Sequence, residues 1–213
     1  MGFPVLCLGE SGSGKTTAIR NLDPASTVIC QVEKKRLPFK ANFPMILHNA
    51  TYTTITALFK EISEGKRPNI RSIVIDDSQY LLVGEFFDRA NERGFDKFTS
   101  IALNFRNLIH WANVGLPNNV TVYFMHHVQA DETTGRLKSK TIGRLLDEKL
   151  CVEGCFDCVL LTEHNQDGWW FRVHSGGADP VKTPMDMFDD DLVPNDLAII
   201  DKTIRDYYAE EGS

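Results

Sequence analysis

Several kinds of feature are missing from this 213-residue chain, and each absence removes a class of protein. No apolar run approaches bilayer length, so no membrane-embedded protein is expected. No targeting segment is expected either, because MGFPVLCLGE leads directly into a strand-like run. The Met1-Gly2 start is therefore not read as a myristoylation site. Positive charge is not in excess: 23 Lys plus Arg against 29 Asp plus Glu give a net charge of −6. That excludes a broadly basic nucleic-acid binder and leaves only a local basic strip for such a role. A second C-x-x-C pair at zinc-site spacing is lacking as well. Cys7, Cys30, Cys151, Cys155 and Cys158 read as buried, reduced thiols of a cytoplasmic protein, with a metal at Cys151, Cys155 and Cys158 as the lesser alternative. There is no internal repeat and no low-complexity stretch. With 42% hydrophobic and 24% charged residues, residues 1–213 are expected to form one globular domain.

What is present begins at Gly9. GESGSGKTT, comprising Gly9, Glu10, Ser11, Gly12, Ser13, Gly14, Lys15, Thr16 and Thr17, fits G-x-x-x-x-G-K-[ST]. The strand-like FPVLCLG precedes it and the helix-forming TTAIRNL follows, the context in which this pattern cradles phosphate. Glycines let backbone N–H groups wrap an anion, and the helix N-terminus adds a favourable dipole. Lys15 can reach the β- and γ-phosphates, and the Thr16 hydroxyl can ligate Mg²⁺. The stretch is therefore read as a nucleoside triphosphate site.

Along the rest of the chain, TVICQV (27–32), MILH (45–48), Ile73–Ile75, VTVYFM (120–125), DCVLLTEH and WWFRVH read as strands. Helices are expected over 53–64, 80–93, 96–113 and from about 195 to 210, the last capped by Asn195 or Asp196. Ile101, Ala102, Phe105, Leu108 and Ile109 recur at helical spacing and mark a face that packs on a sheet. Continuous apolar strands alternating with helices predict an α/β fold, a mostly parallel central sheet covered on both faces.

Further candidates lie at strand ends. IVIDD closes on Asp76, whose carboxylate is placed to hold Mg²⁺, usually through water. Asp77 is either a water-activating base or a cap for the helix that follows. Glu33 competes for the base role, at the end of a strand expected beside the phosphate-loop strand. His126 and His127 fall on opposite faces at the end of VTVYFM, one of them facing the γ-phosphate. The stretch 129–143, QADETTGRLKSKTIG, is expected to be a flexible basic loop carrying Arg136, Lys138 and Lys140, with Arg144 just beyond. It also holds Asp131 and Glu132 and lacks an aromatic for base stacking.

The phosphate loop, Glu33, IVIDD, VYFMHH, DCVLLTEH and a late lysine, in that order, resemble the RecA-like P-loop ATPase core. IDDSQYL, FDKFTSIA, KTIGRLLDEKL, KTPMDMF and VPNDLAIID look like the phage-encoded, core-only ATP-binding proteins that include single-strand annealing proteins. The resemblance covers essentially the whole chain. It implies ATP and Mg²⁺ as ligands, an ATPase acting in DNA recombination or annealing, and a cytoplasmic setting in a host cell. Glu33 would then be the catalytic glutamate in preference to Asp77, His127 the γ-phosphate sensor, and 129–143 the contact to single-stranded DNA. Lys182 in VKTPMDMF would act in trans on the nucleotide of a neighbouring subunit in a homo-oligomer. Pro184 stands where RecA-like recombinases usually carry a second base, and the segment through which many of them polymerise is not seen ahead of the first strand. A protein that binds single-stranded DNA is a further implied partner. Two other functions use the same loop: an ATP-switched interaction module, such as a loader or packaging partner, and a nucleotide or small-molecule kinase. The kinase usually carries an arginine-rich lid, whereas 129–143 has one arginine.

Overall fold

FPVLCLG forms strand β1, Phe3–Gly9, buried from Pro4 onward. The structure, a computed structural model, describes residues 1–40 and 42–210 without the side chains of Arg144, Leu145 and Glu210. Further strands are β2 (Thr27–Gln31), β3 (Ile46–His48), β4 (Ser72–Asp76), β5 (Thr121–Ala130), β6 (Leu137–Ser139), β7 (Cys158–Asn165), β8 (Gly168–Arg172) and β9 (Leu192–Pro194). The α-helices are α1 (Tyr52–Ser63), α2 (Gln79–Asp88), α3 (Asp96–Val114), α4 (Arg144–Asp147) and α5 (Leu197–Glu210). The sheet runs β3-β2-β4-β5-β1-β7-β8-β9, with β6 paired to β5 off that path. Strands β3 through β7 along this order are parallel, and β8 and β9 add an antiparallel edge.

Strand alternation builds two cores. Leu6, Leu8, Val28, Ile73 and Phe124 face α1, α2 and α3, where Ile55, Phe59, Leu82 and Phe105 meet them. Val5, Cys7, Ile29, Val74 and Tyr123 face the opposite layer, formed by Ala18, Ile19, Leu197, Ile200 and Ile204. The expected α/β architecture, a mostly parallel sheet with helices on both faces, is what forms. No helix among the described residues is long and apolar enough to cross a membrane.

The departures from expectation have local causes. The helix anticipated over 80–93 stops at Asp88, and Phe87 from its apolar pattern is 67% exposed. Arg89, which follows the last helical residue, pairs with Glu85 at 3.0 Å and with Glu92 at 2.7 Å. Strand β5 runs on past Met125 to Ala130 because β6 pairs back on it, Val128 against Ser139 and Ala130 against Leu137. The stretch 129–143, expected to be a flexible loop, is thus largely a hairpin. Of the five cysteines, Cys7, Cys30 and Cys158 are buried as expected, whereas Cys151 is exposed and Cys155 half-buried beside a 3-10 turn, Glu153–Cys155.

Strand β5 also corrects the neighbourhood of Glu33. It lies between β1 and β4, pairing with both, so β2 is separated from β1 by two strands rather than lying beside it. Val122, Tyr123, Phe124 and Met125 are all fully buried, and only a central position covers both faces of such a run.

Candidate functional site

The parallel strands bring three candidates, Gly9, Asp76 and His127, to one edge of the sheet. Gly9 pairs with His127 across β1 and β5, and Gln31 pairs with Asp76 across β2 and β4. This is the carboxyl edge, where open parallel sheets take ligands.

The loop beyond Gly9 has a conformation only glycine adopts comfortably at Gly12 (φ 77°) and Gly14 (φ 90°). Gly9 is required for space: a Cβ there would lie 2.0 Å from Thr162 Oγ1 and 2.4 Å from Ser13 Oγ. Thr162 of β7 braces the loop, its hydroxyl 2.6 Å from Ser13 Oγ. Lys15 folds back inside the loop and donates to the carbonyls of Gly9 (2.9 Å) and Glu10 (2.7 Å). Burial lowers its pKa to about 8 against the pull of Asp77 and Asp76. The expected helix is a six-residue 3-10 helix, Thr16–Asn21, ended by extended Leu22 ahead of Asp23-Pro24. So short an element contributes little dipole, and anion binding falls to the glycine amides and Lys15.

Thr16 donates its hydroxyl proton to Asp76 Oδ1 at 3.0 Å across sixty residues of sequence. Burial, followed by the Asp77 charge, raises Asp76 to about pKa 6. A hydroxyl and a buried carboxylate meeting beneath a glycine loop form a donor set of hard oxygens, the kind Mg²⁺ takes. The residues therefore fit Mg²⁺ with a triphosphate: Thr16 and Asp76 would hold the cation, directly or through water, and Lys15 with the loop amides would hold the phosphates.

Asp77 does not cap α2. Its backbone is left-handed (φ 60°), and its carboxylate meets Lys35 Nζ at 2.5 Å and His127 Nε2 at 3.4 Å. Burial raises its pKa, but hydrogen bonds from His127 and Lys35, with their charges, overcome that and bring it to about 2. The ring of His127 also meets Tyr80 edge-on, and its backbone N–H donates to Gln79 Oε1 at 3.3 Å. Lys35 lies over the same Tyr80 ring, 5.4 Å from the centroid.

His126 is not available to a ligand. It is fully buried, and its Nε2 donates to the Lys140 carbonyl at 2.8 Å, leaving Nδ1 to accept from Ser78 Oγ at 3.0 Å. Burial lowers its pKa to about 4, so the ring is neutral and anchors the hairpin to α2. The nucleotide contact expected of it is corrected to this structural role. Glu33 is exposed two residues beyond β2 and makes no hydrogen bond or ion pair among the described residues.

Lys182 is exposed at the sheet edge, its backbone bridged to Val159 at 2.7 and 3.1 Å. Val159 stands level with Leu6, three residues below Gly9, so Lys182 is outside its own chain's phosphate loop. In the hairpin, Lys138 is neutralised by Asp131 (3.2 Å) and Asp147 (2.9 Å), a correction to the expected basic strip. Asp131 closes the tip by accepting from the N–H groups of Thr133 and Thr134. Arg136 donates to the Gly177 carbonyl at 2.8 Å, and Lys140 is exposed. The Arg144 side chain lies outside the described residues.

Lys35, Gln79, Tyr80 and Trp169 carry no signal in the sequence that marks them as site residues, and Asn195 reads there only as a helix cap. Lys35 sits in EKKR, where nothing local distinguishes the one lysine that reaches Asp77, just beyond β4. Trp169 and Asn195 are brought to the loop only by the antiparallel edge. Comparison with known proteins finds no family model and no curated protein that matches this chain.

Proposed function

We propose that the chain is a Mg²⁺-dependent ATPase with a RecA-like core, acting in phage DNA recombination or single-strand annealing in the host cytoplasm. The observation that carries the ATPase part is the Thr16–Asp76 pair, 3.0 Å apart directly beneath a glycine loop that encloses Lys15. Strand order supports the RecA-like core, since β5 with His127 intervenes between the phosphate-loop strand and the Asp76 strand. When bound, Mg²⁺ held by Thr16 and Asp76 would neutralise charge on the phosphates. Lys15 exchanges its two loop carbonyls for phosphate oxygens. Asp77 orients His127 toward the edge it shares with Gly9, and Glu33, exposed on the same edge, is the residue left to orient a water.

The DNA setting rests on the resemblance, with Arg136 and Lys140 as contacts and Lys182 as a lysine acting in trans within a homo-oligomer. An ATP-switched interaction module is the second reading. It is favoured by the exposure of Glu33 and by the carboxylates that neutralise Lys138, which suit slow turnover and weak DNA contact.

Phosphate release from ATP should be measured with Mg²⁺, with and without single-stranded DNA, for the parent and Lys15→Ala. Turnover that falls by about 10²–10³-fold in Lys15→Ala and rises with DNA supports the proposal. ATP binding without turnover, at any DNA concentration, selects the switch. No ATP binding by the parent overturns both.

A further inference from the structure

A cleft of about 250 Å³ opens beside the phosphate loop, lined by Gly12, Gly14, Thr17, Arg20, Trp169 and Asn195. Its walls have properties the phosphate chemistry does not use. Trp169 keeps 45% of its surface exposed, with its indole resting on the His164 ring at a centroid distance of 4.3 Å. Arg20 is pinned in place, donating to the carbonyls of Thr17 at 3.0 Å and Asn195 at 2.8 Å. Asn195 is only 3% exposed, yet its buried Nδ2 has no hydrogen-bond partner. A buried amide donor is rarely left unpaired without a reason. Capping is not that reason, because Asp196 accepts from the Ala198 N–H of α5 at 2.9 Å.

The cleft is continuous with the loop. A Cβ on Gly14 would lie 3.1 Å from Trp169 Cε3 and 3.3 Å from Asn195 Oδ1, so the loop backbone touches both side chains. Whatever the loop holds by its phosphates is therefore held next to a flat indole, a guanidinium and an unsatisfied amide.

We propose that this cleft receives the base of the nucleoside triphosphate, with Trp169 as its stacking platform and Asn195 selecting adenine. The inference rests on the reading of Gly9–Thr17 as a triphosphate site. Stacking on tryptophan and on the plane of an arginine accepts any base. The amide adds the choice. Adenine presents a donor and an acceptor side by side, N6–H with N7, and an asparagine amide meets both at once. Guanine presents two acceptors, O6 and N7, so the amide oxygen would face an acceptor and its bond would be lost. This assigns the cleft to ATP over GTP.

Titration calorimetry with Mg²⁺ and ATP, GTP or inorganic tripolyphosphate tests it on the parent, Trp169→Ala, Trp169→Phe and Asn195→Ala. The parent should bind ATP about tenfold more tightly than tripolyphosphate, the scale of one stacked base. Trp169→Ala should lose that margin with tripolyphosphate binding unchanged, and Trp169→Phe should restore most of it. Asn195→Ala should bring ATP and GTP together. Equal binding of ATP and tripolyphosphate by the parent overturns the cleft while leaving the phosphate site standing, as does a Trp169→Ala loss shared by both ligands. Binding of neither, with Lys15→Ala indistinguishable from the parent, overturns the phosphate site and the cleft together. A variant that fails to give the parent's circular dichroism is replaced by 2-aminopurine riboside triphosphate, whose quenching on binding to the parent reports stacking; unquenched binding overturns the platform.

Discussion

Replacing Asp76 by asparagine should make the metal-free protein more stable while removing its affinity for Mg²⁺. Asp76 is 5% exposed and has a second carboxylate, Asp77, next to it. Burial first, and then the Asp77 charge, raise it from 3.8 to about 6 against the Thr16 hydrogen bond and the charges of Lys15 and Lys35. A carboxyl raised on folding takes up a proton as the chain folds. Its effect is a penalty fully present above about pH 6, shrinking as pH falls and gone below 3.8. The displacement from 3.8 to about 6 amounts to about 3 kcal/mol, at ~1.36 kcal/mol per pH unit. Asparagine keeps the shape and can still accept from Thr16, so Asp76→Asn should gain about 2–3 kcal/mol near pH 7.5. His126 acts in the opposite sense. Burial lowers it from 6.5 to about 4, so its contribution is present above 6.5 and lost as pH falls toward 4. The parent alone therefore sums two opposed slopes, and the difference between variant and parent at each pH removes the His126 part. Urea unfolding in chelator, followed by circular dichroism from about pH 7.5 to 4, measures that difference. It should be largest at the alkaline end and approach zero at the acid end. Mg²⁺ should then raise the midpoint of the parent and not of the variant, since ligand binding to the folded state alone stabilises it. An Asp76→Asn protein no more stable than the parent near pH 7.5, or an advantage that persists on acidification, would refute the reasoning.

Other outcomes follow from single contacts. Lys15→Ala should lower ATP turnover by about 10²–10³-fold, the loss seen when one transition-state donor is removed, as read by phosphate release. Gly14→Ala places a side chain at φ 90° against Trp169 and should cost about 1–2 kcal/mol or more in thermal unfolding. Gly12→Ala, with nothing within 4 Å of its added Cβ, should show the backbone strain alone. Asp77→Asn keeps a residue tolerant of left-handed backbone but releases Lys35 and His127. It should reduce turnover more than ATP affinity, and equal losses in both would count against a role in orienting His127. If the hairpin meets single-stranded DNA, Lys140→Ala should lower the salt dependence of binding by about one counterion, while Lys138→Ala should leave it unchanged.

Much of the site was legible in the sequence because its chemistry is local. A glycine loop that follows a buried strand can be read from consecutive residues, although the helix expected after it is only a short 3-10 helix, and an apolar β-branched run ending in an acid marks a strand end. The α/β class was equally legible, since strands buried on both faces must be apolar throughout. Long-range choices were not legible. Nothing in EKKR distinguishes the lysine that crosses to Asp77, because selection among adjacent lysines is made by the distance to another strand. His126 and His127 are neighbours in sequence with different fates: one is sealed by Ser78 and the Lys140 carbonyl, and the other is left at the carboxyl edge of the sheet beside Asp77. Lys138 looked basic until the fold brought Asp131 and Asp147 to it.

GESGSGKTT and the acid at Asp76 are therefore determined by the sequence alone, because backbone freedom at glycine and the identity of an oxygen or amine donor travel with the residues. Only the tertiary structure decided what surrounds them. The insertion of β5 between β1 and β4 sets which strand ends share an edge. The antiparallel return of β8 and β9 carries Trp169 and Asn195 to Gly14. The physical reason is that apolar burial on both faces of the sheet constrains strand order strongly, whereas the sequence of each strand records only that it is buried and not beside what.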